Sequence, residues 1–216
     1  YQLPMSFMAF MRSPTLFAKR HSIPDGYFPG PTYKNWSDLP MVSYKHLMSG
    51  NHSVKIKVPM YDATDTGSLS DAEIEARRKF MRVLSFNRKH WRPRWVVSHT
   101  SPTIGIREGQ RIVGLYVLTL DDVRTGRNFH DAVAVGTYSL DAHKPDDDKR
   151  TYILADKDLK VPPYQIPLRS LLVKDGANLM AVGRCFSADQ LALSSARVST
   201  TCSMMGQAAG IAAAMG

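Results

Sequence analysis

Residues 178 to 215 read NLMAVGRCFSADQLALSSARVSTTCSMMGQAAGIAAAM. The first six, Asn178 to Gly183, make a short apolar run stopped by glycine, and this pattern predicts a buried strand. Small residues rich in Ser and Thr follow, and the apolar run Met204 to Met215 then predicts a helix. That helix carries Gly206 and Gly210 four apart among alanines, a surface that lets another backbone approach, as helices on a parallel sheet must. In such an arrangement ligands bind beyond the carboxyl end of a strand, against the free amides of a helix N-terminus.

Upstream of this segment the pattern changes several times. From Tyr1 to about Lys57 the chain is rich in Pro, Gly and aromatics, with turn signals at Pro24-Asp25-Gly26 and Pro29-Gly30-Pro31. Short strands and long connections fit it better than helices, with strands predicted at Met5 to Phe10 and Val54 to Met60. Ser70-Asp71-Ala72-Glu73 has the spacing of a capping box and predicts a helix with Ser70 as N-cap. Its apolar stripe is Ile74, Met81, Leu84 and Trp91, with basic residues largely opposite in solvent, and Pro93 sets its latest end. Arg111 to Leu118 (RIVGLYVL) is nearly all apolar and predicts a buried strand. Thr119-Leu120-Asp121-Asp122 starts a short helix that Gly126 ends, and Ala132 to Tyr138 predicts another strand. Lys144 to Arg150 (KPDDDKR) reads as a mobile polar loop.

Bulk composition narrows the class. An apolar fraction of 44% and a charged fraction of 22% over 216 residues are those of a folded globular chain, not a disordered one. No apolar run reaches the ~18 residues that a spanning helix needs, so no membrane role is expected. The formal charge of +9 raises the question of a polyanion partner. The one dense basic cluster, Arg77, Arg78, Lys79, Arg82, Arg88, Lys89, Arg92 and Arg94, comes with no recognition motif, so nucleic acid is not expected. Cys185 and Cys202 are the only cysteines, outside any CxxC pair, which points to a reducing, cytoplasmic setting and away from structural zinc. The opening on Tyr1 and the stop at Gly216 read as cuts through a larger protein.

Several of these segments, taken in order, resemble one family. Leu168-Arg169-Ser170-Leu171 and the 178–214 segment are similar to the carboxyl-terminal signature of a family of FAD-dependent oxidoreductases: strand, Gly-Arg, Ser-Ala, Ser-x-x-Arg, then Gly-Gln-Ala-Ala-Gly inside a helix. Asp62-Ala63-Thr64-Asp65, Thr103 to Glu108 (TIGIRE), Arg111 to Gly114 (RIVG), Tyr116 to Thr119 (YVLT) and Asp141-Ala142-His143 match in the same order. The resemblance covers roughly residues 60 to 216. It departs at Gly109 and Gln110, where the family carries a small hydroxyl residue and a second arginine.

The resemblance implies an α/β chain in the broad sense, mixed α+β. Residues 1–160 would form a substrate-side mixed-sheet domain, and residues 161–216 the strand–helix portion that completes a Rossmann-like FAD-binding domain. The implied activity is hydride transfer from a small organic substrate to FAD. His143 would be the base, and Arg107 would orient an anionic or carbonyl oxygen. Gly183, Arg184, Ser187, Arg197, Thr201 and Cys202 would meet the cofactor, with the amides near Thr201 and Cys202 favouring negative charge by about 0.3 to 2 kcal/mol. Simple ion pairs remain as alternatives, Arg107 with Glu108 or another acid, and Arg184 or Arg197 with Asp189. A G-x-G-x-x-G turn is absent from the 216 residues, so the pyrophosphate site is expected on a missing amino-terminal segment or a separate partner chain. Two other readings stay open: a non-catalytic subunit docking on a flavoprotein, and a basic nucleic-acid-binding module.

Overall fold

The computed structural model describes residues 5–12, 32–47 and 51–215, so the turn signals at 24–26 and 29–31 lie outside the described residues. The chain divides into two compact units: Tyr1–Ile106 with Pro145–Thr151, and Arg107–Lys144 with Tyr152–Gly216. This division is one of backbone compactness. The division expected near residue 160 separates substrate-side from cofactor-side residues, which is a different question.

Unit 1 holds β1 (Met5–Arg12), β2 (Val42–His46), β3 (His52–Val58), the long helix α1 (Thr66–His90) and β4 (Val96–Thr100). The strands form one antiparallel sheet in the order β2-β3-β1-β4. Alternation along the strands sends Met5, Phe7, Ala9 and Met11 of β1, and Val54, Ile56 and Val58 of β3, into the core. There α1 covers them with Ala72, Ala76, Phe80, Val83 and Leu84. Both strands predicted in this region are present, with slightly shifted ends.

Helix α1 differs from expectation at its start and on its faces. Its N-cap is Asp65, whose carboxylate accepts from Ser68 N at 2.6 Å, and Ser70 lies inside the helix with Oγ turned back to Thr66 O at 2.9 Å. Glu73 bonds instead to Arg77 and to the amide of Ile104. The Ser-x-x-Glu spacing therefore occurs one turn too late to be a cap. Of the expected stripe only Leu84 is fully buried, while Ile74 is 48% exposed. The buried face runs through alanines, whose small side chains let the helix lie close to the sheet. Nor are the basic residues all in solvent: Lys79 and Arg82 are buried, Lys79 at 3.7 Å from Asp148 and Arg82 at 2.6 Å from Glu75. Replacing Asp65 by alanine should cost about 1 kcal/mol of unfolding free energy, whereas Ser70→Ala should stay within about 0.5 kcal/mol. Urea titrations of the two variants check this.

The polar loop near residues 144–150 is a loop, but a tethered one. Met60 N donates to Pro145 O at 3.2 Å, Lys57 Nζ to Lys149 O at 3.0 Å, and Lys149 Nζ to Ser37 O at 2.9 Å. Every one of these ties lies within unit 1.

Unit 2 holds α2 (Leu120–Thr125), β5 (Ala132–Gly136), β6 (Tyr164–Pro167), α3 (Gln190–Ala196) and α4 (Ser199–Met215). The expected capping box of α2 is present, with Thr119 and Asp122 as the reciprocal pair and Gly126 left-handed at φ 65. β5 and β6 pair antiparallel. Their core partners include Leu118, Leu140, Leu171, Phe186, Leu193 and Met205. The small-residue stretch contains α3, capped by Asp189 Oδ1 on Ala192 N at 2.7 Å. Ser and Thr disfavour a helix interior only weakly, and burial of Ala192, Leu193 and Ala196 outweighs them here.

Two predicted strands are not strands. In 111–118, Val113, Leu115 and Val117 are exposed while Leu118 is buried. Its amides reach Cys185, Leu172, Arg169 and Ser187 in turn, so no single neighbour offers a continuous ladder. In 178–183 one bridge, Leu172 with Met180, is all that forms; Asn178 is left-handed at φ 56, and Gly183–Cys185 is a 3-10 turn. Apolar runs without alternation state that burial is wanted, not which backbone will supply it. The architecture is mixed α+β with antiparallel sheets.

Candidate active site

Three of the expected site residues meet around one carboxylate that sequence reasoning did not single out. Asp141 Oδ1 lies 3.1 Å from His143 Nε2. Its Oδ2 accepts from Arg107 Nη1 at 3.2 Å and from Arg197 Nη2 at 3.4 Å, and Arg197 Nη2 also donates to the backbone O of Asp141 at 3.0 Å. Arg107 precedes the extended 111–118 segment, and Arg197 caps α3. The loop after β5 supplies Asp141 and His143, whose backbone bridges Tyr152. The His143 ring stacks on Tyr152 with centroids 4.5 Å apart and is itself buried. An acid two residues from a histidine in an extended segment shares its side of the chain, and that spacing was the available signal.

Arg107 thus makes an ion pair with another acid, Asp141, the plain alternative to a role in substrate binding. Glu108 accepts from Gln190 Nε2 at 2.8 Å, with Arg111 Nη1 3.6 Å away, and Asp141 is the acid that Arg107 reaches. Asp189 spends its carboxylate on the amides of Ala192 and Leu120. Arg197 is thereby left to Asp141.

Electrostatics follow from two buried guanidiniums sharing one carboxylate. Burial pushes the Asp141 carboxyl up, but the hydrogen bond from His143 and the charges of Arg107 and Arg197 outweigh it and hold it below the usual range. Burial, then the like charge of Arg107, pulls Arg197 down to about 10, which still leaves it protonated at neutrality. A positive cluster with a fixed imidazole can orient an oxyanion and hold a proton at His143.

The other expected residues gather at the start of α4. Gly183 and Arg184 lie on the 3-10 turn, against which α4 packs. Gly183 is left-handed at φ 73, and a Cβ there would meet only Cys202 Sγ, at 4.0 Å. Arg184 is exposed, while Ser187 and Thr201 face the core, each nearly fully buried. Burial pushes the Cys202 thiol up, against the charges of Arg184 and Arg197. Both cysteines are free thiols. Among the described residues no group of three or more His, Cys, Asp or Glu could hold a metal ion, and no helix is long and apolar enough to cross a membrane.

The chain is mixed α+β, with His143, Arg107 and Arg197 gathered on Asp141 and a glycine turn packed against α4. The family model described as FAD dependent oxidoreductase matches residues 12–216, and the chain belongs to that family. Its cofactor is FAD, and a flavin oxidoreductase role comes with membership. No curated protein and no solved structure matches the chain. The turn at 183 suits such a group: a half-exposed, side-chain-free residue in a left-handed conformation leaves its backbone open to a flat ring.

Proposed function

We propose that this chain is the carboxyl-terminal portion, or a subunit, of a flavoenzyme that takes hydride from a small organic substrate. In this reading residues 161–216 complete a Rossmann-like FAD-binding domain and residues 1–160 serve the substrate side, in a cytoplasmic setting. The observation that carries it is Gly183, left-handed and open beside the first turns of α4. Gly183, Arg184 and the turn beginning α4, with Thr201 and Cys202, would hold the ring system; Ser187 would shape that wall from behind, and Arg197 would lend it positive charge. Bound FAD supplies a hydride acceptor. The protein's own part is to orient substrate through Arg107 and to take up a proton at His143. That proton exchanges with solvent through Asp141, whose side chain is 26% exposed.

No G-x-G-x-x-G turn occurs in the sequence, so the pyrophosphate site falls to the rest of the protein or to a partner chain. Exposed Val113, Leu115, Val117 and Leu179 offer an apolar surface for it. The same surface would serve a non-catalytic subunit, and turnover of the assembled flavoprotein separates the two readings. Nothing favours nucleic acid: of the eight basic residues in the cluster, Arg77, Lys79, Arg82 and Arg88 are engaged within unit 1.

The test is visible flavin absorption. Together with a polypeptide bearing the G-x-G-x-x-G turn, the chain should retain FAD. Gly183→Val should weaken retention by about tenfold or more, equivalent to about 1.4 kcal/mol, with the far-ultraviolet circular dichroism unchanged. Equal retention by wild type and Gly183→Val would remove the flavin wall from this turn.

A further inference from the structure

The path of the chain brings a tyrosine onto the candidate base. The chain leaves unit 2 after Lys144, runs through Pro145–Thr151 of unit 1 and re-enters unit 2 at Tyr152. At the re-entry an antiparallel bridge joins His143 to Tyr152, and Ile153 N donates to Ala142 O at 2.8 Å. Residues that face each other across such a bridge hold their side chains side by side on one face. Here both are rings, and they stack with centroids 4.5 Å apart and planes 22° apart. His143 is 2% exposed and Tyr152 is half-buried, so the phenol ring covers a face of the imidazole inside unit 2.

Two restraints therefore act on one imidazole, and they restrain different things. The contact with Asp141 Oδ1, 3.1 Å from Nε2, fixes one ring atom. A contact through one atom leaves the plane loose, because the outer torsion of a histidine side chain is broad. Arg107 and Arg197 bond to the same carboxylate, and Arg197 also to the Asp141 backbone O, so they hold the acceptor still without touching that plane. A ring lying flat on another fixes the plane itself. Proton transfer needs both, since a base has to keep its lone pair within reach of the proton and aligned with it.

We propose that Tyr152 is a positioning residue whose ring sets the plane in which His143 takes up a proton. The contact is ring on ring, so the aromatic surface of Tyr152 does this and its hydroxyl is not required. As a step in catalysis the proposal rests on the reading of His143 as the base; as a restraint on the imidazole it does not.

The test uses the full chain with isotope-labelled histidine, and His143→Gln assigns the imidazole by the loss of its resonances. In wild type the carbon-bound ring protons of His143 should lie upfield of those of a solvated imidazole, and its two nitrogens should be well separated. Tyr152→Phe should keep both features. Tyr152→Leu should lose the upfield displacement and bring the two nitrogens towards a common average. Diethyl pyrocarbonate supplies a second reading, by the mass of the peptide that carries His143. Its reaction there should be about two- to tenfold faster in Tyr152→Leu, the weight of one aromatic pair, and unchanged in Tyr152→Phe. A leucine variant with the nitrogen pattern and reaction rate of wild type overturns the proposal, as does a phenylalanine variant that behaves like leucine. Should the leucine variant not fold, wild type and Tyr152→Phe decide: matching upfield protons and rates support the proposal, and their absence or disagreement overturns it. FAD retention is read separately. Gly183→Val should leave the His143 pattern as in wild type. Retained flavin with a freely averaging His143 refutes only the positioning, and a fixed His143 in an assembly that never holds flavin refutes only the flavin assignment.

Discussion

Replacing Gly136 by alanine should destabilise unit 2 by about 3 kcal/mol, the upper end for overpacking a filled core. A Cβ on Gly136 would run into the Tyr164 ring, with Cε2 2.7 Å away and the hydroxyl end closer still. Tyr164 cannot easily yield. It is 1% exposed and its Oη bonds Ser195 Oγ at 2.8 Å, while burial raises its hydroxyl to about 12. The clash lies between adjacent strands, since Gly136 and Tyr164 are register partners of β5 and β6. Guanidinium titrations should show a lower midpoint with an unchanged slope. Combining Gly136→Ala with Tyr164→Leu should recover more than about 1 kcal/mol of the summed single costs. Gly206→Ala is the control. Nothing stands within 4 Å of a Cβ there, and alanine in a helix gains about 0.5 to 1 kcal/mol over glycine. No loss of unfolding free energy in Gly136→Ala would mean that the ring moves aside at no cost.

What the sequence made legible was local chemistry. The capping of α2 and its left-handed Gly126 depend on side chains within a few residues of each other, and both were as expected. The strands near residues 5 and 54 alternate apolar with polar, and alternation reports both the strand and its inner face. The runs at 111–118 and 178–183 lack alternation. They carried a demand for burial without a partner, and the chain resolves it with isolated bridges. Helix α1 was found, yet its buried face was misjudged because Ala72 and Ala76 score as weakly apolar while lying fully buried in the core.

The candidate site was legible in part for the same reason. Gly183, Arg107, His143 and Arg197 stood out by type and setting, but the group that joins three of them is Asp141, and those three come from positions 107, 143 and 197. No local pattern states that two arginines distant in the chain will share a carboxylate. The ionic partners nearest in sequence, Glu108 and Asp189, are occupied by Gln190 and by helix capping. Competition for each acid among all nearby donors decides the pairing, and that competition exists only in the folded chain.

Asp141→Asn should cost about 3 kcal/mol at neutral pH, because removing one partner from a buried charge cluster leaves the others uncompensated. Arg107 and Arg197 each have side chains 10% exposed, and without the carboxylate their like charges would face each other in a poorly solvated site. The sign of the pH dependence follows from the depressed Asp141 carboxyl. Its contribution is fully present above the unfolded carboxyl value, about 3.9, and is lost as pH falls through the lower folded value. Wild type and Asp141→Asn should therefore differ most near neutrality and converge in strong acid, as denaturant midpoints across pH would show. Arg107→Met alone should cost less, since Arg197 and His143 still hold the carboxylate. Arg107→Met/Asp141→Asn should then fall short of the summed single costs by more than about 1 kcal/mol. For the chemistry the expectation is sharper. An asparagine keeps the shape but no longer fixes the His143 ring by charge, so the nitrogen resonances of that imidazole should change even where the fold survives. If stability falls but those resonances stay as in wild type, Asp141 is an anchor for two arginines and His143 needs another partner for any role as base.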